Sequence, residues 1–172
     1  LWGPDLLGEY LVVIATVNLI AVAMPLGFHT VGTYFAAEYR ARGERRQFAV
    51  FLLHSYGHVV GVFLALLLLA GPVLNWTGQG DSVVAHHLVP ILLLSFGTAM
   101  VYVNGALLVG LRRPFAGFFA DTIFRPLIVI GTFLAVMAIA EPADGFSTLL
   151  WGVALGYVAI SLVHFAFVVT SL

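Results

Sequence analysis

Between Gln47 and Ala70 the chain runs QFAVFLLHSYGHVVGVFLALLLLA without a single charged residue. A helix needs about 20 apolar residues to cross the hydrocarbon core of a bilayer. This stretch meets that length, and four others do as well. Their expected bounds are 8–39, 83–111, 124–140 and 148–171. The predicted fold is therefore all-α: a five-transmembrane-helix bundle, polytopic, with residues 1–172 forming a single transmembrane domain. Composition agrees. Only 9% of residues are charged and mean hydropathy is +1.08, whereas a soluble domain carries about 25% charge. The first segment is long, and Pro25 is expected to kink it. A chain that opens at Leu1 rather than Met is expected to lack some N-terminal sequence. No cleavable signal and no lipidation motif is visible.

The connections are short and polar, so consecutive helices should be antiparallel neighbours. All seven basic residues are arginines, at 40, 42, 45, 46, 112, 113 and 125. They fall in the first and third connections and at their edges. The second and fourth connections hold Asp81, Glu141 and Asp144 and no base. Basic residues concentrate on the cytoplasmic side, so the expected topology has the N-terminus outside and the C-terminus inside. Orientation alone is a sufficient role for these arginines. Trp2, Trp76 and Trp151 then mark the outer interface.

The chain has no cysteine, which removes disulfides, iron–sulfur clusters and thiolate metal sites built by this chain alone. Histidine is what remains to argue from. Residues three and four apart share a helix face. His54, Gly57, His58 and Gly61 therefore form one stripe: two imidazoles bordered by positions without side chains. A flat, bulky group could lie in that groove. With a rise of about 1.5 Å per residue, His54, His58, His29 and His164 are expected at similar depth in the inner half, on three helices. His86 and His87 open the third helix at the outer surface, where solvation accounts for them.

Three readings stand beside one another. The first is a b-type haem with axial histidines from the second and fifth helices, Gly57 and Gly61 admitting the ring and Arg46 near the propionates. The axial candidates are His54, His58 and His164. The second is a metal or proton site, weakened because no carboxylate is expected inside these helices. The third is structural, each histidine bonding a neighbouring helix. For His29 a structural or quinone-contacting role is preferred. Asn18 and Asn104 are expected as buried helix–helix contacts. Gly97, Gly105, Gly110 and the Gly152–Gly156 pair read as close packing.

LLHSYGHVVG on the second helix, GALLVGLRRPF closing the third and ISLVHF near the end of the fifth resemble the cytochrome b gamma subunit of respiratory nitrate reductase. Related membrane cytochromes accompany heterodisulfide and sulfite reductases. The resemblance implies haem b, a quinone or quinol substrate, redox subunits as partners and a prokaryotic plasma membrane. It also implies two haems, but Leu64 and Leu68 stand where the second ligand of the second helix belongs, and 146–156 holds no histidine. One haem is therefore expected, held by His164 with His54, or else His58. A weaker resemblance, over the first two helices and their arginine-rich connection, is to the quinol-oxidising subunit of cytochrome bd-type oxidases; no histidine stands where its early ligand lies. The expected function is a membrane cytochrome subunit passing electrons between quinone and a partner docked on the cytoplasmic Arg112–Arg125 loop. The alternative is a haem-free transporter or assembly subunit. Lipid is the surrounding partner, and no nucleic acid is expected.

Overall fold

The computed structural model describes residues 3–139 and 145–171. Trp2, Glu141 and Asp144 lie outside the described residues, and with them most of the fourth connection. The elements are α1 (Pro4–Ala23), α2 (Phe28–Arg42), α3 (Arg45–Trp76), α4 (Val83–His86), α5 (Leu88–Gly110), α6 (Pro114–Phe119), a π-turn (Ala120–Phe124), α7 (Arg125–Ile139) and α8 (Gly145–Val169). No strand occurs among the described residues. Five helical stretches are long and apolar enough to cross a membrane: Pro4–Ala23, Arg45–Trp76, Leu88–Gly110, Pro114–Ile139 and Gly145–Val169. The chain is an integral membrane protein built as an all-α five-helix bundle.

α5 is the central helix. In its most apolar window 72% of residues are buried, against 6% for α3. It packs against α8, α2, α6, α1 and α3. Its glycines are the reason it can hold this place. A Cβ on Gly97 would stand 3.0 Å from the Tyr157 backbone of α8, and one on Gly105 would stand 3.0 Å from the Gly117 carbonyl oxygen of α6. A Cβ on Gly110 would meet Thr33 of α2. Gly152 and Gly156 seat Thr132 and Ile128 of α7 in the same way. Small residues let backbones approach, which is how helices associate where lipid removes most of the hydrophobic drive.

The ends and breaks differ from the sequence expectations, each for a local reason. The first helix is broken rather than kinked. Pro25 has no N–H to continue the ladder, and Leu26 and Gly27 both take positive φ, 43° and 86°. That backbone is easy for glycine and costs a leucine roughly 1–2 kcal/mol. α3 continues to Trp76 through Pro72, six residues beyond the expected end. The third helix is divided at His87, which joins α4 to α5. The fourth begins ten residues before the expected 124. α6 runs through the π-turn into α7, and the Arg125 N–H bonds the Ala120 carbonyl, five residues back. Pro126 explains that slip. Its ring lacks a donor and crowds the carbonyl four residues earlier. Arg125 consequently stands inside a spanning helix, not in the third connection.

Candidate functional site

The His54 stripe lies on the outside of the bundle. His54, Gly57 and Gly61 are exposed and His58 is half-buried. A Cβ on Gly57 or Gly61 would meet nothing within 4 Å. The stripe is therefore an open groove on the surface that faces lipid. His54 Nδ1 lies 2.8 Å from the Val50 carbonyl oxygen. A carbonyl only accepts, so Nδ1 carries the proton and Nε2 keeps its lone pair. That is the arrangement of a metal-ligating histidine, whose other nitrogen donates to a backbone carbonyl. His58 packs on Phe28, ring centroids 5.8 Å apart, and its Nε2 is buried without a partner. Arg46 is exposed in the first turn of α3.

His164 is placed elsewhere. It is 2% exposed, and its Nε2–H donates to the Ala116 carbonyl oxygen on α6 at 2.8 Å. Its Nδ1 is buried and unpartnered. The ring walls an apolar cavity of about 310 Å³ with Phe115, Phe119, Phe124 and Phe167. α3 and α8 do meet at the expected depth, through Tyr56 and Phe165 with centroids 4.9 Å apart. However, Tyr56 leaves α3 on the side opposite His54 and His58, since two residues turn a helix by about 200°. The structure thus does not bring His164 together with either histidine of α3. No group of three or more His, Asp or Glu side chains suited to a metal occurs among the described residues. For a haem, His54 fits as one axial ligand beside open glycines, and His164, with Nε2 engaged, does not fit as the other.

The remaining histidines are dispersed. His29 lies against Tyr102, centroids 6.3 Å apart, with Nδ1 buried and unpartnered. His86 Nδ1–H donates to the Ser82 carbonyl at 3.0 Å. His87 packs edge-on against Phe146 at 5.1 Å, and burial pushes its pKa below the usual imidazole value, ahead of an opposing pull from Glu9. Asn104 joins three helices: it accepts from the Tyr56 hydroxyl and donates to the Ser161 carbonyl. Asn18 is exposed on α1 rather than buried.

A polar cluster on a spanning helix was not expected from the sequence. Arg125 donates to Asp121 Oδ1 at 3.3 Å, and its guanidinium carbon stands 5.9 Å from the centre of the Tyr157 ring. Tyr157 is the middle residue of α8 (Gly145–Val169) and is buried. Tyr102 of α5 is close enough to add to the field at Arg125. The available signal was Asp121 and Arg125 four apart, one residue before a proline. In a run read as a loop, that spacing carries no meaning; on a helix it pairs them.

Fold and site define an integral membrane protein with an open histidine groove on one span and a paired ion cluster between others. No family model, curated protein or solved structure matches the chain.

Proposed function

We propose that the chain is the membrane cytochrome subunit of a larger redox complex, carrying one b-type haem against α3 and passing electrons between the quinone pool and a partner subunit. The observation that carries this reading is His54: its Nδ1–H is held by the Val50 carbonyl, its Nε2 is free, and glycines with open space follow on the same face. A bound haem supplies the one-electron chemistry. His54 would hold the haem iron through Nε2, with His58 as the alternative one turn along. Gly57 and Gly61 give the ring access to the backbone. Arg46 stands at the arginine-rich end of the same helix, where carboxylates would be neutralised. His54 and His58 share one face, so a haem held there would need another chain to enclose it. That requirement fits a subunit better than an isolated carrier. The arginine-rich end is the cytoplasmic one in a prokaryotic plasma membrane, and the redox partner docks beside Arg112, Arg113, Phe115 and Phe118.

A haem-free assembly subunit is the second reading. The scant burial of α3 favours it, because a partner helix would cover the same groove. The two separate on isolation of the complex from its native membrane in mild detergent. A reduced-minus-oxidised spectrum of b type, lost in His54→Ala and kept in His164→Gln, supports the cytochrome. A colourless complex of unchanged subunit composition supports the assembly role.

A further inference from the structure

Asp121 and Arg125 lie within the spanning stretch Pro114–Ile139, and their side chains retain 44% and 35% exposure. Arg125 lies beside the midpoint of α8, and Asp121 is seven residues, about 10 Å, into its own span. Intramembrane charges are found facing protein or a water-filled cavity, because lipid does not solvate them. An open space lies beside the carboxylate. Asp121, Tyr102, Thr33, Gly105 and Val109 wall a space of about 300 Å³ between α2, α5 and α6. Thr33 and Val109 also wall a second space of about 370 Å³, whose other walls include Arg40 and Arg112 at the arginine-rich end. Thr33 and Val109 are thus walls of both spaces. The two spaces form a trail from the basic rim to the half-buried carboxylate. Gly105, Ala106 and Gly110 of α5 run along its floor.

We propose that this trail is an aqueous inlet that delivers protons from the arginine-rich side to Asp121. The carboxylate takes one proton from hydronium, leaving water and a neutral acid. It then releases Arg125 to its remaining neighbours. The groups facing Asp121 are Arg125 on its own span, Tyr102 on α5, Tyr157 on α8 through Arg125, and the Thr33 hydroxyl on α2, which donates to the Ala106 carbonyl. Arg125 donates to the carboxylate at 3.3 Å. Tyr102 in turn lies beside His29, whose Nδ1 is buried and unpartnered. Nothing in this assignment depends on haem, so a colourless protein can satisfy it and a coloured one can fail it.

The chain has no cysteine, which makes the test free of background. Thr33→Cys and Val109→Cys are placed singly in the full chain in oriented vesicles and exposed to a charged, membrane-impermeant thiol reagent. Both should react from the arginine-rich side, close to the rate of Glu44→Cys at the surface. The lipid-facing control Leu134→Cys should lag by about tenfold for each unit by which apolar surroundings raise its thiol pKa. In infrared difference spectra between high and low pH, wild type should gain a protonated-carboxyl band that Asp121→Asn loses. Both cysteines lagging with the lipid control would overturn the inlet. A spectrum unchanged by Asp121→Asn would overturn the proton site.

Discussion

The Tyr56 hydroxyl on α3 donates to Asn104 Oδ1 on α5 at 2.6 Å, and Asn104 Nδ2 donates onward to the Ser161 carbonyl of α8 at 3.1 Å. One amide thus ties three spans together at the depth where Tyr56 also packs on Phe165. Asn104 is fully buried, so both its partners lose their bonds together if it is removed. Interhelical hydrogen bonds in membranes average about 0.6 kcal/mol and reach roughly 1.7. Tyr56→Phe should cost within that range. Asn104→Leu should cost more, because it removes both bonds and strands the Tyr56 hydroxyl in a dry interior. Reversible unfolding in mixed micelles measures both. Equal losses in the two variants would show that the third helix is not bound through this amide.

Glycines on two faces should answer substitution in opposite ways. A Cβ at Gly97 meets the Tyr157 backbone at 3.0 Å, whereas Gly57 has open space. Gly97→Val should destabilise by about 1–3 kcal/mol, the usual cost of overpacking. Gly57→Val should leave stability of the isolated chain near wild type. In the complex it should displace whatever lies on the α3 groove. A Gly57→Val chain that unfolds as readily as Gly97→Val would mean the groove is closed in the membrane.

The contrast between those two glycines also marks how far the sequence could be read. The five spans were legible because a bilayer imposes one length on every helix. Asn104 and the packing glycines of α5 were legible because a polar or missing side chain in such a span has few uses. Faces were not. The same spacing of His54, Gly57, His58 and Gly61 describes an inward groove or an outward one, and only α5 taking the centre decides it. His164 and Tyr56 likewise depend on which way neighbouring helices are rotated. Breaks were half legible: Pro25 marks where α1 ends, but Leu26 at positive φ has no sequence signature. Asp121 and Arg125 were hidden by the general association of charge with loops, which Pro126 reinforced.

His87 gives a pH dependence with a definite sign. Burial lowers its pKa below the ordinary value near 6.5, so the folded state binds this proton less readily than the unfolded one. Stability is therefore complete above the unfolded pKa and falls as pH drops through it toward the folded pKa. His87→Gln should flatten the pH dependence on the acid side of 6.5 and leave stability at pH 8 little changed. Thermal unfolding followed at pH 8, 6.5 and 5.5 checks this. A variant as acid-sensitive as wild type would assign the effect to another group.

Orientation is the expectation on which the direction of every electron and proton depends. Arg40, Arg42, Arg45 and Arg46 gather at the α2–α3 junction, and Arg112 and Arg113 follow α5 at the same end. The opposite junction, between α3 and α4, holds Asp81 as its charged residue. Charge so divided should place the arginine-rich end in the cytoplasm. Single cysteines report it, since the chain supplies none of its own. Glu44→Cys at the first junction should resist an impermeant thiol reagent in intact cells and react in inverted vesicles. Gln79→Cys at the second should do the reverse. Reaction of both from the same side would break the alternation of spans. Reversal of both would keep the fold but move the Asp121 inlet to the outer face.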